Sequence, residues 1–389
     1  MSEFDFTAFL KLMVHKKASD LFITAGLAPS MKVQGKIAPI TQSPLSAQQA
    51  RDMVLNVMTP AQREEFEKTH ECQFAISAQG VGRFRVSCFY QRNCVGMVLR
   101  RIETKIPTVE ELNLPPIVQQ LAMTKRGIVI LVGATGTGKS TSLAAMIGYR
   151  NQHSSGHIIT IEDPIEYVHR HEGCIITQRE IGIDTDSWEN ALKNTLRQAP
   201  DVIMIGEVRT RETMEHAINF AETGHLVLCT LHANNANQAL DRIIHFFPED
   251  RRQQLFMDLS LNLKGIVAQQ LIPSPDGKVR RVAVEVLLGT PLVQDYIRQG
   301  EVHKLKDVMK ESTNLGMQTF DQSLVELYHA GEISYEDALR HADSSNEVRL
   351  AIKLARGGDA RTLSQGLDGV EVEEARDWQG GGAYIRKRP

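Results

Sequence analysis

The sequence predicts an α/β protein: a mainly parallel sheet with helices between its strands, preceded by a smaller α+β module. Three observations lead there. From residue 128 onward, short β-branched apolar runs alternate with stretches of helical period, the pattern of strand–helix–strand units. The first run, Ile128–Val132, leads into Gly133-Ala-Thr-Gly-Thr-Gly138-Lys139-Ser140 and then into a stretch with Leu143, Met146 and Ile147 on one helical face. Later runs end on Glu162-Asp163, Glu207 and His232, and parallel sheets place their ligands at those carboxyl ends.

The elements follow in order. Phe6, Phe9, Leu10, Met13 and Val14 define a first helix, and Leu21–Gly26 reads as a strand ending at a turn. Residues 31–40 alternate about Gly35 like a hairpin. Helices are expected over 46–57, capped by Ser46, and over 60–68. Three more strands, over 72–76, 82–90 and 96–102, complete a module of residues 1–104 whose strands carry Arg83, Arg85, Arg92, Arg100 and Arg101. A solvated sheet face explains such charge as well as a functional role does. The polar, proline-bearing stretch 105–117 reads as a linker, and a second domain spans 118–345. Its strands are expected at 128–132, 157–161, 202–205 and 226–230, with helices over 140–149, 188–198 and 212–222. Next come a helix from 237 to Pro248, a longer one over 251–271, and a hairpin turning at Asp276-Gly277. Helical segments run on to about Asp343. Residues 346–389 form a weakly ordered tail, apart from one short helix over 348–355.

Composition narrows the function classes. With 42% apolar and 23% charged residues, 389 residues make two or three ordinary globular domains. A net charge of −3 and no aromatic-basic stripe argue against nucleic acid as a partner. Five scattered cysteines, none in a C-x-x-C pair, argue against a zinc site and suit a reducing compartment. Without an apolar run of about 20 residues or a signal peptide, a cytoplasmic protein is expected.

The chemistry centres on the glycine loop. Strand, G-x-x-x-x-G-K-S and helix together form a P-loop, whose glycines let backbone N–H groups curl round a phosphate. Gly133, Thr135, Gly136, Thr137, Gly138, Lys139, Ser140 and Thr141 are the nucleotide-binding candidates, with ATP as the ligand. Lys139 supplies positive charge to the β- and γ-phosphates, and Ser140 a hydroxyl for Mg2+. A water-orienting carboxylate is also needed, and the candidates are Glu207 and the set Glu162, Asp163 and Glu166. Glu207 is preceded by Gly206 where an aspartate commonly stands, so Glu207 or the 162–166 set must support the metal. His225 and His232 bracket the fourth strand; either suits sensing the γ-phosphate, and a satisfied core histidine is the rival reading. No arginine occupies an obvious finger position in this domain. The arginine-bearing strands of the first module are then the natural supply, through a ring with active sites at subunit interfaces.

These residues carry a resemblance. Gly133–Ser140, Ile159-Thr-Ile-Glu-Asp-Pro-Ile-Glu-Tyr167, Val202-Ile-Met-Ile-Gly-Glu-Val-Arg209 and Glu222-Thr-Gly-His-Leu-Val-Leu-Cys-Thr-Leu-His232 resemble the Walker A, Asp-box, Walker B and His-box segments of the type II/IV secretion ATPases. Ala18-Ser-Asp-Leu21, Gly82-Arg-Phe-Arg-Val86 and Leu315-Gly-Met-Gln-Thr319 are similar to the type IV pilus retraction branch, PilT and PilU, within that family. The likeness covers about residues 5–343. It implies a hexameric RecA-like ATPase with an N-terminal PAS-like domain that lends arginines across the subunit interface. Carried over by position, Glu166 is the Asp-box glutamate, Glu207 the Walker B glutamate, and His225 and His232 the His-box pair. Arg85 and Arg100 are the candidate interface arginines.

Two departures place the chain on the accessory, PilU-like side of the branch. Pro291-Leu-Val-Gln-Asp-Tyr-Ile-Arg298 replaces the PilT-type Ala-Ile-Arg-Asn-Leu-Ile-Arg-Glu, and the tail is longer. The resemblance therefore implies a retraction motor for twitching motility that works with a PilT-like motor and an inner-membrane platform protein, cytoplasmic and peripheral to the membrane. A pilus assembly or type II secretion ATPase is the rival, weakened by the lack of the four-cysteine zinc module usual there. A nucleotide-dependent scaffold on a partner ring is another, against which Lys139, Ser140 and Glu207 stand intact.

Overall fold

A computed structural model describes residues 6–33, 35–102, 105–355, 370–373 and 384–387. The N-terminal module runs α1 (Phe6–His15), β1 (Asp20–Thr24), β2 (Ser30–Val33), β3 (Lys36–Pro39), α2 (Ala47–Asn56), α3 (Pro60–Thr69), β4 (Glu71–Ala78), β5 (Gly82–Gln91) and β6 (Cys94–Arg101). Its strands form one antiparallel sheet in the order β3-β2-β1-β6-β5-β4. The expected Ser46 cap is present as a reciprocal box: Ser46 Oγ accepts from Gln49 N–H and Gln49 Oε1 accepts from Ser46 N–H. Leu10 and Met13 of α1 join Leu21, Phe66, Phe84, Val86, Met97 and Leu99 in a core made wholly of this module's residues.

The second sheet follows α4 (Ile117–Ala122). Its parallel part is built from β7 (Gly127–Val132), α5 (Lys139–His153), β8 (Gly156–Glu162), β9 (Cys174–Glu180), α6 (Trp188–Thr195), β10 (Val202–Ile205), α7 (Arg211–Glu222) and β11 (Leu226–Leu231). Next come α8 (Ala236–Phe246), α9 (Glu249–Asn262), β12 (Leu263–Pro273) and β13 (Arg280–Leu288). The order is β13-β12-β7-β11-β10-β8-β9, with β12, β7, β11, β10, β8 and β9 parallel. Strands β7, β10 and β11 are buried at every position, as helices on both faces require.

Two expectations need correction. The helix expected over 251–271 ends at Asn262, and Leu263 starts strand β12 beside β7. An apolar run reads equally as helix or strand. Here the open edge of β7 decides, and Gly265 suits the close approach: a Cβ there would lie 3.0 Å from Leu121 Cδ2 and 3.1 Å from Leu287 O. No strand is expected between 161 and 188, yet β9 lies there, on the sheet edge, and holds the site's flank.

By its internal contacts the chain forms two compact units. One runs to residue 270 and resumes over 285–317; the other comprises 271–284 and 318 onward. The first also holds α10 (Pro291–Gln299), with Pro291 in its first turn and Gly300 closing it at φ +73°, and α11 (Leu305–Glu311). The second holds the hairpin tip with α12 (Phe320–His329), α13 (Tyr335–His341) and α14 (Ser345–Ala355). There Ser323 Oγ accepts from Val284 N–H at 3.1 Å, and Asp321 carboxylate oxygens accept from Asp343 N–H and Ser344 N–H. α14 is longer than the short helix expected, and Val348 and Ile352 are buried, so the start of the tail packs through these two side chains. An antiparallel pair, β14 (Val370–Glu373) and β15 (Tyr384–Lys387), follows. The rest of the weakly ordered tail expected over 346–389 lies outside the described residues. Among those described, no helix is long and apolar enough to cross a membrane, and no side-chain cluster could hold a metal ion by itself.

Candidate active site

Strand β7 delivers the chain to the P-loop. At Gly133, φ is +157° and a Cβ would lie 2.4 Å from Thr137 Oγ1 and 2.7 Å from Gln269 O, so only glycine fits. Gly136 and Gly138 also take positive φ, +80° and +91°, which turns the loop into α5 at Lys139. Thr137 Oγ1 donates to Ala134 O at 2.9 Å, and Gln269 Nε2, from β12, donates to Thr137 O at 2.7 Å. Lys139 Nζ donates to Gly133 O at 2.8 Å and Ala134 O at 2.9 Å. Burial pulls its pKa down, and the nearby carboxylates of Glu207 and Glu166 oppose that. A buried ammonium facing a glycine cradle at a helix start suits a phosphate.

The four acidic candidates separate by environment. Glu162 closes β8 at 8% exposure, and burial pushes its pKa up to about 7. Its Oε1 accepts from Thr160 Oγ1 at 2.6 Å and Gln178 Nε2 at 3.1 Å. Asp163 and Glu166 are exposed on the loop that follows. Tyr167 OH, 3.0 Å from Thr141 Oγ1, ties that loop to α5. β9 holds it from the other side: Gln178 Nε2 donates to Tyr167 O at 2.9 Å and its Oε1 accepts from His169 N–H at 2.8 Å.

Glu207 follows β10. Gly206 before it sits tight against β8: a Cβ would stand 3.1 Å from Ile161 O and 3.2 Å from Glu162 Cα, so a larger residue such as aspartate would press on that backbone. The Glu207 carboxylate lies 3.0 Å from His232 Nε2 through one oxygen and 2.7 Å from Arg209 Nη2 through the other. Burial first, then the Lys139 charge, lowers the His232 pKa, so its ring is neutral at pH 7 and donates from Nε2 to Glu207.

The structure thus brings together the P-loop, Glu162, Glu166, Glu207 and His232. It separates the others. His225 precedes β11, so it lies at the sheet's amino edge, about 20 Å from the carboxyl end at about 3.3 Å per residue. There its Nδ1 sits 3.1 Å from Phe220 O and Thr223 Oγ1, and its carbonyl accepts from Gly127 N–H. His225 is half-exposed there, with its ring held by local bonds. Arg85 donates to Gln73 Oε1 at 2.8 Å and Arg100 pairs with Asp20 at 2.9 Å, both bonds within their own sheet. Two arginines of the second domain stand beside the site: Arg209 against Glu207, and Arg242, which donates to His232 O at 2.9 Å. Sequence reasoning also missed Tyr167, Gln178 and Gln269. Only Arg209 had a signal, two residues past Glu207 in the quoted segment.

A parallel sheet with a P-loop, and an acid–histidine pair at its carboxyl edge, define a P-loop ATPase domain, here preceded by a smaller N-terminal domain. The family model of the Type II/IV secretion system protein matches residues 3–345, and the chain belongs to that family. It is 69% identical to the Type IV pilus ATPase PilU of Pseudomonas aeruginosa over 96% of this chain and 98% of that one. It is 39% identical to the Type IV pilus retraction ATPase PilT of the same organism, over 87% of this chain and 98% of that one. A crystal structure of the pilus retraction motor PilT with bound ADP superposes with a TM-score of 0.83 at 39% identity, covering 89% of this chain and 99% of that one. The Legionella pneumophila ATPase DotB superposes with a TM-score of 0.70 at 26% identity, covering 86% and 94%.

Proposed function

We propose that this chain is an ATP-hydrolysing motor subunit for type IV pilus retraction, assembled as a homo-hexamer and accessory to a PilT-like motor at an inner-membrane platform. The observation that carries the reading is the Lys139–Glu207–His232 arrangement in a chain matching a pilus ATPase over nearly its whole length. The P-loop residues 133–141 cradle the phosphates. Ser140 and Glu207 offer the hard oxygen donors Mg2+ takes, and Mg2+ would neutralise charge on the β- and γ-phosphates. Glu166, exposed and carried by the loop that Tyr167 and Gln178 pin to α5, orients the attacking water. The water oxygen bonds to the γ-phosphorus as the bond to the β–γ bridging oxygen breaks, ADP and phosphate leave, and Glu166 takes the water proton. His232 holds Glu207 in place. We place the domain boundaries at 1–104 and 118–345, joined by 105–117.

The accessory role is supported by α10. Arg298 Nη2 is 3.1 Å from Asp295 Oδ1 on the same helix, while Val293 and Ile297 are buried, so the exposed face holds a self-neutralised pair. A face without free charge is poorly suited to engage a platform unaided. The test deletes this gene product and counts surface pili and twitching, then overproduces the chain in a strain lacking the PilT-like motor. More pili with lost twitching support retraction, and fewer pili mean assembly. Retraction in the second strain would make the chain an independent motor.

A further inference from the structure

Burying a carboxylate is costly unless a cation or several hydrogen bonds answer it. Glu180, which closes β9, is 2% exposed. Its Oε2 accepts from Ile165 N–H at 3.4 Å, and Arg83 Nη2 stands 3.8 Å from the same oxygen. Burial raises the Glu180 pKa, while the Ile165 bond and the charges of Arg83 and Arg85 pull it down. Arg85 and Arg100 make their described bonds inside the N-terminal sheet, whereas the Arg83 pair joins that module to the second domain, within the first compact unit. Ile102 N–H donates to Arg83 O at 2.9 Å and holds the root of the arginine on β5. Arg83 Nε is buried without a hydrogen-bond partner among the described residues, so Glu180 is what this guanidinium answers. On the other side, Ile165 precedes Glu166, whose N–H bonds Glu162. Glu162 and Glu180 are register partners on β8 and β9, so two neighbouring buried carboxyls hold consecutive amides of the loop.

We propose that Arg83 and Glu180 are positioning residues for hydrolysis: their ion pair ties the N-terminal module to the backbone of the loop that carries Glu166. This rests on the ATPase reading, in which Glu166 orients water. Arg83 touches no reacting atom in this role. At 3.8 Å the pair is open, and an approach of about 1 Å would close a charge-assisted hydrogen bond. Seating the module therefore tightens the hold on Ile165, and withdrawing it leaves a buried carboxylate uncompensated and the amide loosely held. A misplacement of about 1 Å at a group that orients a reactant costs up to about 10²-fold in rate.

Turnover, the KM for ATP and hydrogen exchange of peptides covering residues 163–169 are compared in wild type, Arg83→Ala, Arg83→Lys, Glu180→Gln and the Arg83→Ala/Glu180→Gln double variant. Wild-type turnover and its loss in Lys139→Ala test the ATPase reading separately. Exchange needs no turnover, so it reads the tether even if that reading fails. The expected result for Arg83→Ala is a fall of about 10²-fold in kcat with KM little changed, and faster exchange in the loop. Arg83→Lys keeps the charge and restores most of both. Glu180→Gln keeps an oxygen for the Ile165 N–H but leaves no charge for Arg83 to answer, so the double variant is no slower than the slower single variant. Should Arg83→Ala fail to fold, Arg83→Gln, which keeps the stem and loses the charge, takes its place. Losses that multiply in the double variant would overturn the proposal, because Arg83 would then act other than through Glu180. Unchanged kcat and exchange in Arg83→Ala, or no rescue in Arg83→Lys, would overturn it as well.

Discussion

Glu162→Gln tests the separation of the acidic residues. Burial raises the Glu162 pKa from the ordinary 4.5 to about 7, so the folded chain holds that proton more tightly than the unfolded one. Between these values the native state binds more protons, and stability therefore falls as pH rises through the window. At about 1.4 kcal/mol per pH unit the ionised carboxylate costs at most about 3–4 kcal/mol above the window. Glutamine carries no charge, and its one carbonyl oxygen can keep Thr160 and Gln178, which both bond Oε1. The Glu166 N–H also bonds this carboxylate, and weakening that bond offsets about 1 kcal/mol. Denaturant unfolding should therefore find the variant more stable than wild type by about 1–2 kcal/mol near pH 8, and no more stable near pH 5. Turnover should persist in Glu162→Gln and vanish in Glu166→Gln. An identical pH dependence of stability in wild type and variant would refute the burial argument, and lost turnover in Glu162→Gln would move a catalytic role to that residue.

Further outcomes are expected. Lys139→Ala abolishes turnover while circular dichroism stays native, and Glu207→Gln stops hydrolysis yet leaves nucleotide binding measurable; unchanged turnover in Glu207→Gln would leave catalysis to Glu166. Gly206→Ala pushes its new Cβ against the β8 backbone, 3.1 Å from Ile161 O, and should cost about 1–3 kcal/mol in denaturant melts. Truncation after Ala355 should leave soluble, ATP-hydrolysing protein, whereas truncation after Asp343 strips Val348 and Ile352 from α12 and α13, at about 1.5–3 kcal/mol each, and should reduce soluble yield.

The sequence by itself determined what depends on neighbours along the chain. The P-loop, its strand and helix, the Ser46 cap, the hairpin at Asp276-Gly277 and the Pro291 start of α10 are all written in local spacing and backbone chemistry. So were the carboxyl-end positions of Glu162, Glu207 and His232, because parallel strand direction follows from the strand–helix alternation. Tertiary structure alone decided the rest. Leu263–Pro273 is a strand only because β7 offers it a hydrogen-bonding edge, and Gln269 reaches the P-loop from there across more than a hundred residues. Gln178 braces the loop of Glu166 from a strand whose pairing with β8 no local pattern revealed. The split between a buried Glu162 and an exposed Glu166, four residues apart, came from what packs over them. Charge and burial are properties of neighbours in space, and Arg209 became part of the site only when the chain set it against Glu207.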